Sequence, residues 1–206
     1  MSMPMRLRSS KRSREEEKSD MIDIKGFYTE VSACTKCRLS EGRNTVVFGE
    51  GSLDADIMFV GEGPGQREDE TARPFVGPAG QLLDRMLGDI GLKRSEVYIA
   101  NVVKCRPPKN RNPLPDEVQA CLPYLRTQVA VIKPKIIVCL GKVAAKALLG
   151  RDVSMTREHG VFLEKGRFYM MVTFHPAALL RNADFYEYSK EDFRLLKEKY
   201  LEIKDD

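Results

Sequence analysis

The apolar residues of this chain fall into short continuous runs that alternate with stretches of helical spacing. A short run without polar interruption is typical of a strand buried on both faces of a parallel sheet. Such runs cover residues 56–61, 97–103, 136–140 and 168–174, with a weaker partner strand near 161–163. The pattern therefore predicts four principal strands.

Helical spacing marks most of the segments between these runs. The clearest apolar stripe predicts a helix over residues 78–92, with Pro78 as its N-terminal signal. Further helices are expected over residues 22–33, 116–121, 123–132, 142–149, 176–182 and 189–202. Residues 62–77 are rich in glycine, proline and charge and are expected to form a loop. Strands that alternate with helices in this way predict an α/β sandwich built on a parallel sheet.

Size and charge narrow the class of protein. A chain of 206 residues has the size of one domain, expected over residues 21–206, with a disordered charged tail over residues 1–20. That tail has six basic and four acidic side chains, so it supplies half of the net charge of +4. A solvated charge run explains the tail better than a DNA-binding arm. The chain has neither an apolar span nor an apolar leader, so we expect a cytoplasmic protein with no membrane contact.

The five cysteines divide into one core residue and two pairs. Cys139 lies in a predicted strand, where a small buried side chain is expected. Cys34 and Cys37 form a C-x2-C pair, and fifteen residues separate Cys105 from Cys121. Two such pairs can close one thiolate site for zinc or for an iron–sulfur cluster. The spacing does not distinguish zinc from an iron–sulfur cluster. The alternative to a shared site is four unrelated thiols.

Glycine and polar residues follow the predicted strands, at the edge where open parallel sheets form their binding sites. Gly61, Gly63 and Gly65 follow the first strand, Asn101 lies near the end of the second, and His175 follows the fourth. The glycine loop matches neither a dinucleotide-binding nor a nucleotide-phosphate loop. A buried amide must be hydrogen-bonded, so Asn101 is either a structural tie or a reader of a ligand.

Together, residues 61–69, residues 73–83, Asn101 and residues 175–181 resemble the motifs of the family 4 uracil-DNA glycosylases. The resemblance extends over about residues 22–200. It implies a three-layer α/β sandwich around a central four-stranded parallel sheet. It also implies hydrolysis of the N-glycosidic bond of deoxyuridine in double- or single-stranded DNA, which releases uracil and leaves an abasic site. By the same resemblance, a structural [4Fe-4S] cluster is held by Cys34, Cys37, Cys105 and Cys121.

The resemblance also assigns roles in a base pocket. The residues that it places around the uracil are Gly61, Glu62 and Gly63 as pocket loop, Phe75 as stacking ring, Asn101 as base reader and His175 at the uracil O2. An extrahelical base needs such a pocket, because its reactive bond is out of reach inside a duplex. Asn101 can donate to O4 and accept from N3–H, and cytosine reverses both groups. A hydrogen bond from His175 to O2 would stabilise the charge that develops on the leaving base.

Further residues are expected to contact DNA. Leu179 is the expected wedge in the base stack and Arg181 a phosphate contact. A basic loop without an acidic residue is expected to hold the backbone in a salt-sensitive way, through Lys104, Arg106, Lys109 and Arg111. The loop after the second strand contains no histidine, so covalent trapping of DNA is not expected.

The water-activating residue is open among three carboxylates, Glu62, Glu68 and Asp69, with Glu68 as the first choice. Two rival functions stay in view. A non-enzymatic nucleic-acid-binding module stabilised by zinc or iron–sulfur would need neither Asn101 nor His175. A hydrolase or transferase of free nucleotides would need a Mg²⁺-ligand set and a phosphate-binding lysine that the sequence lacks. We expect a monomer associated with the nucleoid.

Overall fold

A six-stranded sheet lies at the centre of the protein, whose computed structural model describes residues 23–205. Its strands are β1 (Glu50–Gly51), β2 (Ile57–Gly61), β3 (Tyr98–Asn101), β4 (Ile136–Leu140), β5 (Phe162–Lys165) and β6 (Phe168–Thr173). The strand order is β1-β3-β2-β4-β6-β5. The inner four strands are parallel, as predicted, and the short strands β1 and β5 add antiparallel edges.

Helices cover both faces of the sheet. They are α1 (Ile24–Ser32), α2 (Leu39–Gly42), α3 (Gln66–Thr71), α4 (Pro78–Asp89), α5 (Pro115–Ile132), α6 (Lys142–Leu149), α7 (Met155–Glu158), α8 (Pro176–Leu179) and α9 (Asp184–Asp205). Met58 and Val60 of β2 pack into one hydrophobic core, and Ile57 and Phe59 pack into the other. Burial on both faces explains why the inner strands are apolar without alternation. The predicted α/β sandwich is confirmed.

The helix boundaries differ from the prediction at several places. The helices predicted on either side of Pro123 form one helix, α5, with the proline inside it. Helix α8 ends at Leu179 and α9 begins at Asp184, so the last helix is longer than its apolar stripe. Helix α3 lies in the segment predicted as a loop, because its six residues are all polar and show no apolar period.

The charged tail predicted over residues 1–20 lies outside the described residues. Within residues 23–205, no helix combines the length and the apolar character that a membrane span requires.

The sheet brings the ends of its inner strands together at one edge. Gly61 of β2 lies opposite Asn101 of β3 in the parallel register. The pairing continues beyond the strands, because the backbone N–H of Val102 donates to Gly61 and that of Val103 donates to Glu62. This connection ties the glycine loop after β2 to the segment after β3.

Candidate functional site

A cavity of about 380 Å³ opens at the carboxyl edge of the sheet, and we call it the edge cavity. Its volume is within the range of small-molecule sites. The predicted site residues that line it are Glu62, Gly63, Glu68, Phe75, Asn101, Arg111, His175 and Arg181. Gly61, which was expected in the pocket loop, is absent from its lining. A wider groove of about 530 Å³, between α4 and α9, contains none of the predicted site residues. The sheet therefore gathers side chains from the end of β3 and from the segments that follow β2 and β6 into one cavity.

Asn101 ends β3 with its amide buried beside the glycine loop. The residue is 1% exposed, and Oδ1 has no hydrogen-bond partner among residues 23–205. Such an orphaned acceptor is rare in a folded protein and is costly unless a ligand satisfies it. Gly61 permits this arrangement, since a Cβ there would lie 2.5 Å from both Asn101 Oδ1 and Phe75 Cζ. The interpretation of Asn101 as a reader of a ligand thus gains support over a structural tie.

Phe75 places an aromatic ring against the same cavity in an unusual backbone conformation. Its φ is +52°, in the left-handed region that bulky residues avoid. The ring centroid lies 5.5 Å from that of His175, with 31° between the two planes. Two aromatic faces therefore border the space in which a planar ligand would lie.

His175 caps α8 and is held in one tautomer. Its Nδ1 accepts a 3.1 Å hydrogen bond from the backbone N–H of Ala177, which requires a lone pair on Nδ1. Burial is the main cause that lowers the pKa of His175 to about 4; the Arg181 cation acts in the same direction and the Glu68 carboxylate opposes it. A neutral imidazole with a bonded Nδ1 has its proton on Nε2. His175 is therefore a neutral donor near pH 7.

The three candidate carboxylates have different surroundings. Glu62 lines the edge cavity, and burial raises its pKa. Glu68 also lines the cavity, while its Oε1 accepts from the backbone N–H groups of Val76 at 2.9 Å and Gly77 at 2.8 Å. Asp69 is 1% exposed and turns away from the cavity to accept from Asn44 and Thr45.

Gly63 lets the loop after β2 pack closely because it has no side chain. A Cβ at this position would lie 2.7 Å from Cγ2 of Val103. The loop thereby packs directly on the segment after β3, and its contribution to the cavity is backbone.

Two of the predicted DNA contacts are wrong as assigned. Leu179 is 5% exposed and packs in the core, because the turn of α8 directs it inward, whereas the next residue, Leu180, is 51% exposed. Lys104 is 1% exposed; its Nζ donates to the backbone oxygen of Asn101 at 2.9 Å and to Oε1 of Gln128 at 2.6 Å. Burial lowers the pKa of Lys104 to about 8.

The other basic residues stay near the surface. Lys109 and Arg181 are exposed, and Arg106 is partly buried with its Nε donating to Asn110. Arg111 forms a two-pronged ion pair with Glu117, at 2.7 and 2.8 Å. Because that pair occupies its guanidinium, Arg111 is less available to phosphate than an unpaired arginine.

All four paired cysteines line one narrow cavity, which we call the cysteine cavity. These four cysteines form no disulfide with one another, and Cys139 is separate, buried in β4. Three of the sulfurs accept a hydrogen bond from a nearby nitrogen. The distances from nitrogen to sulfur are 3.5 Å from the backbone of Lys36 to Cys34, 3.2 Å from the backbone of Lys104 to Cys121, and 3.3 Å from Nη1 of Arg43 to Cys105. Within residues 23–205 no three histidine, cysteine or acidic side chains are grouped as a ready metal site.

Burial changes the pKa of two of these four thiols. It raises the pKa of Cys105, and it raises that of Cys121 to about 11. Buried thiols of this kind lose their protons when a cation takes them as ligands. Thiolates are the ligand type that an iron–sulfur cluster or a zinc ion takes, and three of the four sulfurs here have an N–H donor nearby.

Arg94 and Leu180 are the site residues that sequence reasoning missed. Arg94 lies in a 3₁₀ turn between α4 and β3 and donates to the backbone of the loop that carries Phe75. No local motif points to it. Leu180 is adjacent in sequence to the predicted wedge, and only the phase of the α8 turn separates the exposed leucine from the buried one.

Comparison with known proteins agrees with this geometry. Residues 48–197 match the family model of the uracil DNA glycosylase superfamily. A type-4 uracil-DNA glycosylase of Thermotoga maritima is 50% identical over 154 residues, which cover 74% of this chain and 80% of that protein. The type-4 enzyme of Sulfurisphaera tokodaii is 46% identical over 188 residues, covering 86% of this chain and 85% of its own.

A third relative, the type-4 uracil-DNA glycosylase of Pyrobaculum aerophilum, is 44% identical over 170 residues, which cover 78% of this chain and 86% of that protein. Each match extends over most of both chains, and the residues that match the family model include the whole sheet and the edge cavity. This chain belongs to the uracil DNA glycosylase superfamily and, within it, to the family of type-4 uracil-DNA glycosylases.

Proposed function

We propose that this protein is a DNA repair enzyme that removes uracil from DNA by hydrolysing its N-glycosidic bond. Free uracil and an abasic site are the products. The observation that carries the proposal is the unpartnered, buried Oδ1 of Asn101 in a cavity that also contains the neutral donor His175 and the ring of Phe75. A planar base with an N–H between two carbonyl oxygens complements this set of groups.

Recognition of the base rests on Asn101 and Phe75. Oδ1 accepts from the uracil N3–H, and the amide nitrogen donates to O4. Cytosine presents an acceptor at N3 and a donor at C4, so the same amide would face two unpaired contacts. A site built to satisfy such hydrogen bonds discriminates by orders of magnitude. The face of Phe75 replaces the stacking that the base loses when it leaves the duplex.

Departure of the base is assisted by His175. As the glycosidic bond breaks, its electron pair moves onto the uracil, and the negative charge is shared by O2 and O4. The Nε2–H of His175 donates to O2 in a site shielded from water. Removal of one such donor from an enzyme costs roughly 10²–10³ in rate. The hydrogen bond from Ala177 keeps the ring oriented, so no reorganisation is needed during the reaction.

Activation of the attacking water is assigned to Glu68. Its Oε1 is occupied by two backbone N–H groups, which fixes the carboxylate in the wall of the edge cavity. The second oxygen, Oε2, is then positioned to take a proton from water. Asp69 is excluded from this role by its burial against Asn44 and Thr45.

Binding of DNA is supported by exposed groups around the mouth of the edge cavity. Arg181 lines that mouth, and Lys109 and Arg106 extend the positive surface. Contacts of this kind to phosphate make affinity fall as salt rises. The exposed Leu180, next to Arg181, takes the role of wedge that the sequence assigned to Leu179.

The cysteine cavity is proposed to hold a structural [4Fe-4S] cluster on Cys34, Cys37, Cys105 and Cys121. When bound, the cluster supplies a cross-link between the N-terminal segment, the basic loop and α5. Cys105 lies in the basic loop and Cys121 in α5, so such a cross-link would hold the loop against α5. The N–H donors at three of the sulfurs support the assignment.

The non-enzymatic alternative is not favoured. A binding module has no need of a buried amide and a neutral histidine that meet in one cavity. All the proposed site residues belong to one chain, so a monomer suffices for the reaction. The substrate would place the enzyme on the DNA of the nucleoid.

The test is incubation of the protein with a labelled oligonucleotide that contains a single uracil, followed by hot alkali. Abasic sites break under alkali, so strand cleavage at the uracil position is expected. A matched oligonucleotide with cytosine in that position should stay intact. No cleavage over a range of salt and temperature would contradict the proposal. A visible absorption band with iron present in the purified protein distinguishes an iron–sulfur cluster from zinc.

A further inference from the structure

The loop that carries Phe75 is held by two charged side chains from opposite directions. Glu68 accepts from the N–H groups of Val76 and Gly77. Arg94 donates through its two Nη atoms to the backbone oxygens of Pro74 and of Phe75, the latter at 3.1 Å. A carboxylate on the amide hydrogens and a guanidinium on the carbonyl oxygens complement the dipoles of the successive peptide units.

These hydrogen bonds are made at and around Phe75, the residue of the loop with a strained backbone conformation. Phe75 has a φ of +52°, a conformation that persists in a bulky residue only when its surroundings impose it. The carbonyl of Phe75 also packs against α4, since a Cβ on Gly80 would lie 1.8 Å from that oxygen. The hydrogen bond from Arg94 to the same oxygen therefore acts at the residue whose ring borders the edge cavity.

Arg94 is itself fixed by carboxylates from two other elements. Its Nη1 lies 3.0 Å from Asp84 of α4, and its Nε lies 3.4 Å from Glu50 of β1. Glu50 is in turn held by Arg73 at 2.8 Å. The Arg94 side chain is only 18% exposed, so solvent screens these contacts less than those of an open surface pair. Four acceptors in fixed directions suit the planar fork of an arginine and not the point charge of a lysine.

We infer that Arg94 is a positioning residue that holds the Phe75 ring in its base-stacking orientation. This inference rests on the proposed function, because the ring needs that orientation only to receive a base. Arg94 also lies in the turn that leads into β3, the strand that ends in Asn101. One side chain thus links the placement of the stacking ring to the strand that presents the base reader.

A double-mutant cycle between Arg94 and Phe75 tests the inference. The variants are Arg94→Lys, Phe75→Ala and the pair, each measured by single-turnover excision of uracil and by the substrate concentration at half-maximal rate. Arg94→Lys is expected to lower the maximal rate about tenfold, since small misplacements in an active site have effects of this size. The half-maximal concentration should stay unchanged, because Arg94 does not touch the phosphate surface. In the Phe75→Ala background the same change should have no further effect.

Arg194→Lys is the matched control, since Arg194 is an exposed arginine paired with Glu191 on α9, and it should behave as wild type. An Arg94→Lys protein with the wild-type rate, or one whose loss is the same with and without the Phe75 ring, overturns the inference. If Arg94→Lys does not fold, Asp84→Asn replaces it in the cycle, because that change removes only one anchor of the guanidinium. Failure of the wild-type protein to excise uracil would instead overturn the proposed function, so the two failures are distinguishable.

Discussion

The edge cavity and the cysteine cavity are joined by one short segment, residues 101–105, and are built on different physical principles. The edge cavity is completed by the chain itself: Asn101, His175 and Phe75 are each held by packing or by backbone hydrogen bonds. The cysteine cavity gathers four thiols, and burial raises the pKa of two of them, Cys105 and, to about 11, Cys121. Such thiols are neutral until a cation converts them to ligands.

This difference separates chemistry from stability. Damage to the edge cavity should abolish the reaction and leave the fold, whereas damage to the cysteine cavity should weaken the fold and affect the reaction only indirectly. Lys104 connects the two regions, since its N–H lies against Cys121 and its Nζ holds the backbone oxygen of Asn101. Four substitutions examine the comparison, in order of expected effect on excision.

Among these four sites, replacement of His175 by alanine has the largest expected effect. Loss of the donor to uracil O2 should lower the single-turnover rate by roughly 10²–10³. The midpoint of thermal unfolding should fall by only a few degrees, because among residues 23–205 the side chain makes a single hydrogen bond, the cap of α8. His159→Gln is the control, since glutamine can still bond Asp192 far from the cavity. A His175→Ala enzyme within a few-fold of wild type would show that the donor lies elsewhere.

The pH profile sharpens this prediction. A folded-state pKa of about 4, lowered by burial, means that His175 is neutral throughout the range from pH 5 to 8. The wild-type rate should therefore show no histidine titration near its ordinary value of 6.5. It should fall only as the pH approaches 4, where protonation of Nδ1 breaks the bond with Ala177. A rate that rises as the pH falls through 6.5 would indicate a protonated histidine instead.

Two substitutions of Glu68 distinguish the roles of its two carboxylate oxygens. Glu68→Gln retains an acceptor for Val76 and Gly77 but removes the base, so excision should fall by roughly 10² while the unfolding midpoint stays near wild type. Glu68→Ala should lose both the rate and the stability of the loop. A Glu68→Gln protein with wild-type rate would limit this residue to an anchor, and Glu62→Gln would then be the next variant to measure.

Cys121→Ser should affect stability more than chemistry. If Cys121 is a ligand of the proposed cluster, its loss should remove the visible absorption and lower the unfolding midpoint by roughly 5–10 °C, while excision by the remaining folded protein should fall only a few-fold. Cys139→Ala is the control, because Cys139 is equally buried but lies in β4, so the absorption should persist. Equal loss of absorption in both variants would contradict the assignment of ligands.

Leu180→Ala has the smallest expected effect. If Leu180 fills the space that the base vacates, its loss should slow excision from a duplex about twofold and have less effect on a single strand, where no stack must be opened. Leu201→Ala, at a leucine of similar exposure on α9, should leave both rates unchanged. Equal effects on the two substrates would argue against a wedge.

Much of this architecture could be predicted from the sequence because its strong local patterns agree with the packing of the whole fold. The buried runs specify the inner strands, and the positions of Gly61, Asn101 and His175 at strand ends follow from parallel topology. Four cysteines in two pairs indicate one shared site, and they do line one cavity.

What could not be predicted depends on packing between distant segments. Leu179 and Leu180 are the same residue type and adjacent in sequence. Only the phase of the helical turn buries the first and exposes the second, and exposure decides their roles. Lys104 reads as a DNA contact in a basic loop, yet Gln128 of α5 supplies a buried acceptor 24 positions away. Arg94 has no motif, because its partners Glu50 and Asp84 lie in other elements.

The most direct test of the central claim is the release of free uracil by the wild-type protein and by Asn101→Asp, measured in a single turnover on duplexes that differ only by uracil or cytosine at one position. Asparagine and aspartate have nearly the same shape, so the change replaces the donor to O4 with an acceptor and adds a negative charge beside the leaving base. We predict release of uracil and no cytosine by the wild type, and a fall of more than about 10³ in the variant with its fold intact. Release of uracil by Asn101→Asp at the wild-type rate would contradict the account.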